Sequence, residues 1–165
     1  KEYVKFNERC MIRLLGDMRS YNYVVIPIHD FDQVIYKIRA IDFDQQSYEG
    51  KFSVYRPQFF KENKPMMDLV RKKLKTDSIV QYKIEERSTI SRRLIISDKR
   101  MKLLISIMKD DTISKNENVN NLKNEIYKFT NEEEFIKSDS MGELMEKTLD
   151  YLKRNYQNVS LIDLI

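Results

Sequence analysis

The chain has 165 residues, 41% hydrophobic and 34% charged, with a net charge of +4; this suits one globular domain able to bury about two thirds of its unfolded surface. Three glycines, three prolines and no run approaching about 20 apolar residues exclude collagen-like and membrane-spanning architectures. With one cysteine and one histidine, neither an internal disulfide nor a zinc site of Cys and His ligands is available, and a reducing, cytoplasmic compartment is the expectation.

The sequence opens Lys1-Glu2-Tyr3-Val4 without an initiator Met or a charged-then-apolar leader. No secretory signal is therefore expected, and the chain reads as a fragment of a longer one. Apolar side chains at Val4, Phe6, Met11, Ile12, Leu14 and Leu15 predict a helix over 3–15 that delivers the chain into Gly16. β-Branched runs at 23–26 and 34–41, separated by the turn-prone Pro27-Ile28-His29-Asp30-Phe31-Asp32-Gln33, predict a β-hairpin. In its second strand Ile35, Lys37 and Arg39 alternate with Tyr36, Ile38 and Ala40, so part of it has one wet face and one buried face. Residues 45–65 hold Gly50, Pro57 and Pro65 and have no period. They are expected to form a long ordered loop anchored by Phe52, Tyr55, Phe59 and Phe60.

From there the chain reads as helical. Met66, Leu69, Val70 and Leu74 form one apolar stripe; Met101, Leu104, Ile105 and Met108 form another, with Ser97 where its N-cap would stand. The polar, Asn-rich stretch 110–121 reads as a linker. Two capping boxes follow, Thr130 with Glu133 and Ser140 with Glu143, the second opening a helix striped by Met141, Leu144, Met145, Leu149 and Leu152. Basic clusters at 71–75, 92–93 and 99–102 read as solvated helix faces. Thirty basic residues face 26 acidic ones, and no aromatic residues interleave the clusters, which argues against nucleic acid as a partner. Cys10 reads as a buried, inert thiol; a nucleophilic Cys10/His29 pair has nothing around either residue to mark it.

The residues that carry chemistry lie in Gly16-Asp17-Met18-Arg19-Ser20-Tyr21-Asn22, followed by the hairpin and then Ala40-Ile41-Asp42-Phe43-Asp44. An Asp with an Asn five residues on occurs three times, as Asp17/Asn22, Asp111/Asn116 and Asp150/Asn155. Only the first precedes paired strands and a second Asp. This arrangement resembles the catalytic and metal-binding loops of the protein-kinase-like superfamily. Gly16 before Asp17, and Asp44 after Phe43, look more like its aminoglycoside- and choline-kinase branch than its protein-kinase branch.

The resemblance implies an α+β, mainly helical fold, a kinase-like C-terminal lobe in which a small β-hairpin carries the catalytic loops. It implies one domain over 1–165, with a catalytic-loop and hairpin region (1–60) and a helical region (61–165). The implied activity is transfer of the ATP γ-phosphate to a hydroxyl acceptor of unknown identity. Asp17 would orient the hydroxyl and take its proton, Arg19 would contact the transferring phosphate, and Asn22 and Asp42 would bind the nucleotide through Mg2+, with Asp44 as a further metal ligand. The sequence departs from the family pattern at Leu15, where a His is usual. It also lacks the Gly-rich loop and phosphate-pairing Lys of an N-terminal lobe, which would be the missing partner, so the fragment is expected to bind ATP poorly. On the residues alone, Asp17 and Asn22 also fit an Asn-assisted turn beside an ordinary hairpin, and the chain a noncatalytic kinase-like or helical interaction module.

Overall fold

The computed structural model describes residues 1–47, 50–110 and 114–157. Helix α1 (Glu2–Ile12) buries Tyr3, Val4, Phe6 and Cys10 on one side and carries Ile12 into a second cluster. It stops three residues short of the predicted Leu15. The N–H of Leu14 donates to Met11 O and that of Leu15 to Cys10 O (2.9 Å), while Leu14 adopts φ 46°. This is the reverse-turn cap that glycine usually supplies. Leu at this position gives no sequence signal, so the helix reads as longer than it is.

Strands β1 (Tyr23–Asp30) and β2 (Gln33–Ala40) pair antiparallel from Tyr23↔Ala40 to Asp30↔Gln33. The expected seven-residue connection is corrected to two residues, Phe31 and Asp32, with Phe31 at φ 49°. Pro27 therefore sits inside β1 opposite Tyr36. It is tolerated because both strands of a two-stranded sheet are edges, where a missing N–H need cost no ladder bond. Full burial is confined to the base of the hairpin, at Tyr23 and Ile38; Ala40, Ile26 and Ile28 are half-buried and Tyr36 is exposed. Phe6 stacks on Tyr23 with ring centroids 5.0 Å apart, seating that base on α1.

Residues 52–63 form three short 3-10 turns, Phe52–Tyr55, Pro57–Phe59 and Lys61–Asn63. Phe52 and Tyr55 anchor them in the interior, Phe60 is half-buried and Phe59 is exposed. Helix α2 (Lys64–Lys73) buries Met67 and Val70. Leu69, expected on the inner stripe, is instead exposed.

Helices α3 (Thr76–Ile96), α4 (Asp98–Lys109), α5 (Asn116–Thr130) and α6 (Met141–Asn155) complete the chain. α3 packs on α1 in the same sense, from Lys1 over the Tyr82 ring (5.2 Å) through Lys5–Glu85 (2.8 Å) to Arg9–Glu86 (3.3 Å). Between them Glu8, 2% exposed, meets both Lys83 (3.1 Å) and Arg87 (2.6 Å). α6 lies antiparallel to α4, since Lys109 at the end of α4 pairs with Glu146 while Asp98 at its start is within electrostatic range of Lys153. Ser97 stands at the N-cap of α4 without a side-chain cap bond; α4 buries Ile105.

Two helical expectations are corrected. The stretch read as a linker gives its second half to α5, because Val119, Leu122 and Ile126 make a buried stripe that outweighs the Asn-rich surface; residues 111–113 lie outside the described residues. Thr130 opens no helix: it ends α5, with its hydroxyl donating to Ile126 O (2.9 Å), and Glu133–Phe135 is a single 3-10 turn. The Ser140 cap does form, as Glu143 N donates to Ser140 Oγ (3.2 Å), while the Glu143 carboxylate reaches back one residue further than a capping box requires, accepting from Asp139 N (2.7 Å). No helix among the described residues is long and apolar enough to cross a membrane.

Candidate functional site

The segment leaving α1 is clamped on its far side before it reaches Asp17. Leu15 bridges Gln46, Gly16 N donates to Gln45 O (3.1 Å), Ser47 N to Leu14 O (2.7 Å) and Asp17 N to Val54 O (3.1 Å). Gly16 is required by this approach, because a Cβ there would stand 2.8 Å from Val54 Cγ1 and 3.0 Å from Gln45 O. Asp17 itself adopts φ 53°, a left-handed conformation that Asp tolerates better than most residues.

Residues 17–22 then close on themselves. The carbonyl oxygen of Asp17 accepts from Arg19 N (2.8 Å) and from the Asn22 side-chain Nδ2 (2.7 Å), and Asn22 N donates to Arg19 O (2.9 Å). Asn22 Nδ2 also lies 3.4 Å from Asp17 Oδ2. With its nitrogen held at Asp17, the buried Asn22 amide offers its Oδ1 as a hard oxygen to another partner.

Asp42 reaches this place through the backbone. Ile41 N donates to Asn22 O (3.0 Å), extending the β1–β2 ladder by one pair, so Asp42 follows the residue opposite Asn22. Its Oδ1 accepts from Asp44 N (3.2 Å), fixing the carboxylate in a local Asx turn. Asp44 is exposed on the far side of that turn. The fold thus brings Asp17 and Asn22 into direct contact and sets the backbone before Asp42 against Asn22; among the described residues the Asp42 carboxylate bonds Asp44 N and neither Asp17 nor Asn22, and Asp44 stands further along the chain.

Arg19 spans two carboxylates: Nε donates to Asp17 Oδ1 (2.7 Å) and Nη1 to Glu62 Oε1 (2.8 Å), with the guanidinium over the Phe60 ring at 4.9 Å. These bonds, Asp17 first, raise its pKa above the ordinary value. Beneath the loop Asn63, fully buried, donates to Met18 O and Pro57 O (both 2.8 Å) and accepts from Tyr23 OH (3.0 Å). One amide therefore binds the loop, the 3-10 segment and β1 together. The sequence gives no sign of Glu62 or Asn63, because each meets the loop from more than 40 residues away and neither belongs to a local pattern.

Chemically, the loop supplies one oriented carboxylate at Asp17 and the Asn22 amide just before β1, with the Asp42 carboxylate two residues past the end of β2. Among the described residues no group of three or more His, Cys, Asp and Glu is placed to hold a metal ion. A cation needing a complete protein cage is poorly served; one or two protein oxygens suit Mg2+, which keeps waters and takes phosphate oxygens. Val24, Ile41 and Phe43, all exposed, flank the polar group with apolar surface. Cys10, by contrast, is fully buried in α1 and His29 is exposed near the hairpin tip, which separates the one thiol from the one imidazole. Comparison of the chain with protein-family models, curated proteins and solved structures gives no match.

Proposed function

We propose that this chain is the catalytic half of a kinase-like phosphotransferase that moves the ATP γ-phosphate to a hydroxyl acceptor. The observation that carries the reading is the Asn22 Nδ2 bond to the Asp17 carbonyl combined with the Ile41–Asn22 rung. Together they join the one loop that holds Asp17 and Asn22 to the backbone next to Asp42, two stretches of sequence that this reading needs side by side.

In this reading Asp17 accepts a hydrogen bond from the acceptor hydroxyl, orients it and takes its proton as the oxygen attacks phosphorus. Asn22, through Oδ1, and Asp42 hold Mg2+ bound to the nucleotide. That ion, when bound, neutralises phosphate charge as it redistributes. Glu62 and Asn63 keep the loop rigid, the first through Arg19 and the second through Met18 O. A Gly-rich phosphate grip would have to come from outside these residues, whose glycines are Gly16, Gly50 and Gly142.

A second reading, a noncatalytic kinase-like or helical interaction module, draws on a specific feature. Arg19 occupies Asp17 Oδ1, and Leu15 stands where the family pattern has His. Calorimetric titration of the native polypeptide with Mg-ATP separates the two. Heat that disappears in Asp42→Ala, together with phosphate transfer lost in a folded Asp17→Ala variant, supports the phosphotransferase. Absence of heat supports the module, and transfer retained in Asp17→Ala rejects the assignment of the base.

A further inference from the structure

On the other side of the Leu15–Gln46 bridge, the C-terminal ends of α1 and α3 meet α4 and α6 around a cleft of about 660 Å3. That volume is typical of small-molecule sites, which run from about 300 to 1,000 Å3. Its floor is aliphatic and thioether, with Met101, Ile105 and Met108 from α4 and Met141, Met145 and Leu149 from α6. No aromatic ring lines it among the described residues. Methionines adapt to flexible apolar ligands, whereas flat ring systems are usually gripped by aromatic side chains.

One end of the cleft is cationic. Arg13 caps α1, and Arg93 lies in the last turn of α3. Both line the cleft, as do Arg9 and Glu86, which pair with each other. Both guanidinium groups are exposed and have no ion-pair partner among the described residues, unlike Arg9, which contacts Glu2 and Glu86. Helix C-termini favour cations, and that explains the presence of Arg at each end. It explains neither the hollow nor the state of Ser47, which also lines it. Ser47 Oγ is buried without a hydrogen-bond partner, and its backbone is fixed beside Arg13 by the bond to Leu14 O. A buried hydroxyl left unpaired is costly, and a turn of the Ser47 side chain toward the cleft would let a ligand oxygen satisfy it.

We propose that this cleft binds an anionic amphiphile, its aliphatic chain against the methionines and its oxyanion head between Arg13 and Arg93 within reach of the Ser47 hydroxyl. Arg presents paired N–H donors that suit carboxylate and phosphate alike, so either head meets the requirement. The site is independent of the phosphotransfer reading and uses none of its residues.

Titration calorimetry with dodecanoate, dodecyl phosphate and the neutral dodecanol, each below its critical micelle concentration, tests this. One molecule of at least one anion should bind per chain, and the tighter of the two identifies the head group. Dodecanol should bind about tenfold or more weakly, and Arg13→Gln/Arg93→Gln should weaken the anion about tenfold or more while leaving thermal unfolding nearly unchanged. Leu104→Trp, at a half-exposed position on the rim, should block binding by filling the apolar end. Equal affinity for alcohol and anion, undiminished binding in the double Arg variant, or no binding of either anion by the unmodified chain would overturn the proposal.

Discussion

The side-chain amide of Asn22 donates to the backbone carbonyl of Asp17 at 2.7 Å, so one side chain staples the two ends of a six-residue turn. Asn22 is buried, and the bond holds Asp17 in its left-handed conformation as well as shaping the loop. Asn22→Ala is expected to cost about 1 kcal/mol of stability, the net worth of such a bond. Asn22→Asp should cost more, because it sets a carboxylate oxygen against the Asp17 carbonyl oxygen in place of a donor. Urea unfolding of the two variants checks the order, and an Asp variant as stable as the parent would contradict the staple.

A second contact depends on the absence of a side chain. A Cβ on Gly142 would stand 2.5 Å from Lys109 N and Met108 C, both backbone atoms that no rotamer change can move. Gly142→Ala should therefore push α6 off α4 and cost about 1–3 kcal/mol or more, against the roughly 0.5–1 kcal/mol that Ala ordinarily gains over Gly in a helix. At Gly50, where an added Cβ meets nothing within 4 Å, the same substitution should be neutral or mildly stabilising. Opposite signs in thermal melts of the two variants are the expected outcome.

These two residues also mark the limits of what could be read beforehand. The hairpin, the Ser140 cap of α6 and the turn bracketed by Asp17 and Asn22 follow from local patterns: β-branched runs, a Ser followed three residues later by Glu, an Asp and Asn bracketing a turn. Interactions that depend on distant partners leave no such trace. Asn63 under the loop, Glu62 on Arg19 and the close passage of Gly142 across α4 are set by packing between elements, and Leu14 in a left-handed cap defies the residue preference by which caps are recognised. Likewise α5 was hidden because its Asn-rich surface masks three apolar residues spaced for one helix face. Phosphate transfer itself rests on resemblance and calls for the binding experiments above.

The buried carboxylate of Glu8 faces two cations, Lys83 and Arg87. Glu8→Ala would leave those positive charges in the interior without it, and breaking a buried pair in this way costs about 3–5 kcal/mol. The Lys5–Glu85 pair on the same two helices has a half-exposed carboxylate, so Glu85→Ala should cost no more than about 1 kcal/mol. Denaturant midpoints of the two variants give the comparison; similar losses would mean that the Glu8 cluster is solvated.

Burial pushes the Cys10 thiol well above its ordinary pKa, and the side chain has no solvent exposure. Thiolate is the reactive form, so Ellman's reagent should label the native chain hardly at all at neutral pH and label it fully in denaturant. Rapid native labelling would show that α1 opens or that the thiol reaches the surface.

Acid should loosen the candidate site by way of Glu62. Its pKa lies below the ordinary 4.5, first because its own backbone N–H bonds the carboxylate and then because of Arg19. A carboxyl whose folded pKa is depressed contributes stability above its unfolded pKa and loses that contribution as pH falls through the folded value. The Arg19 tether should therefore persist through neutral and mildly acidic pH and release only below 4.5. In a carboxyl-detected NMR titration the Glu62 midpoint should lie under that value. Arg19→Gln should raise it without restoring it fully, since the backbone bond remains. A midpoint that Arg19→Gln leaves unmoved would show that the guanidinium does not hold Glu62 in solution, and Arg19 would then be free to leave Asp17.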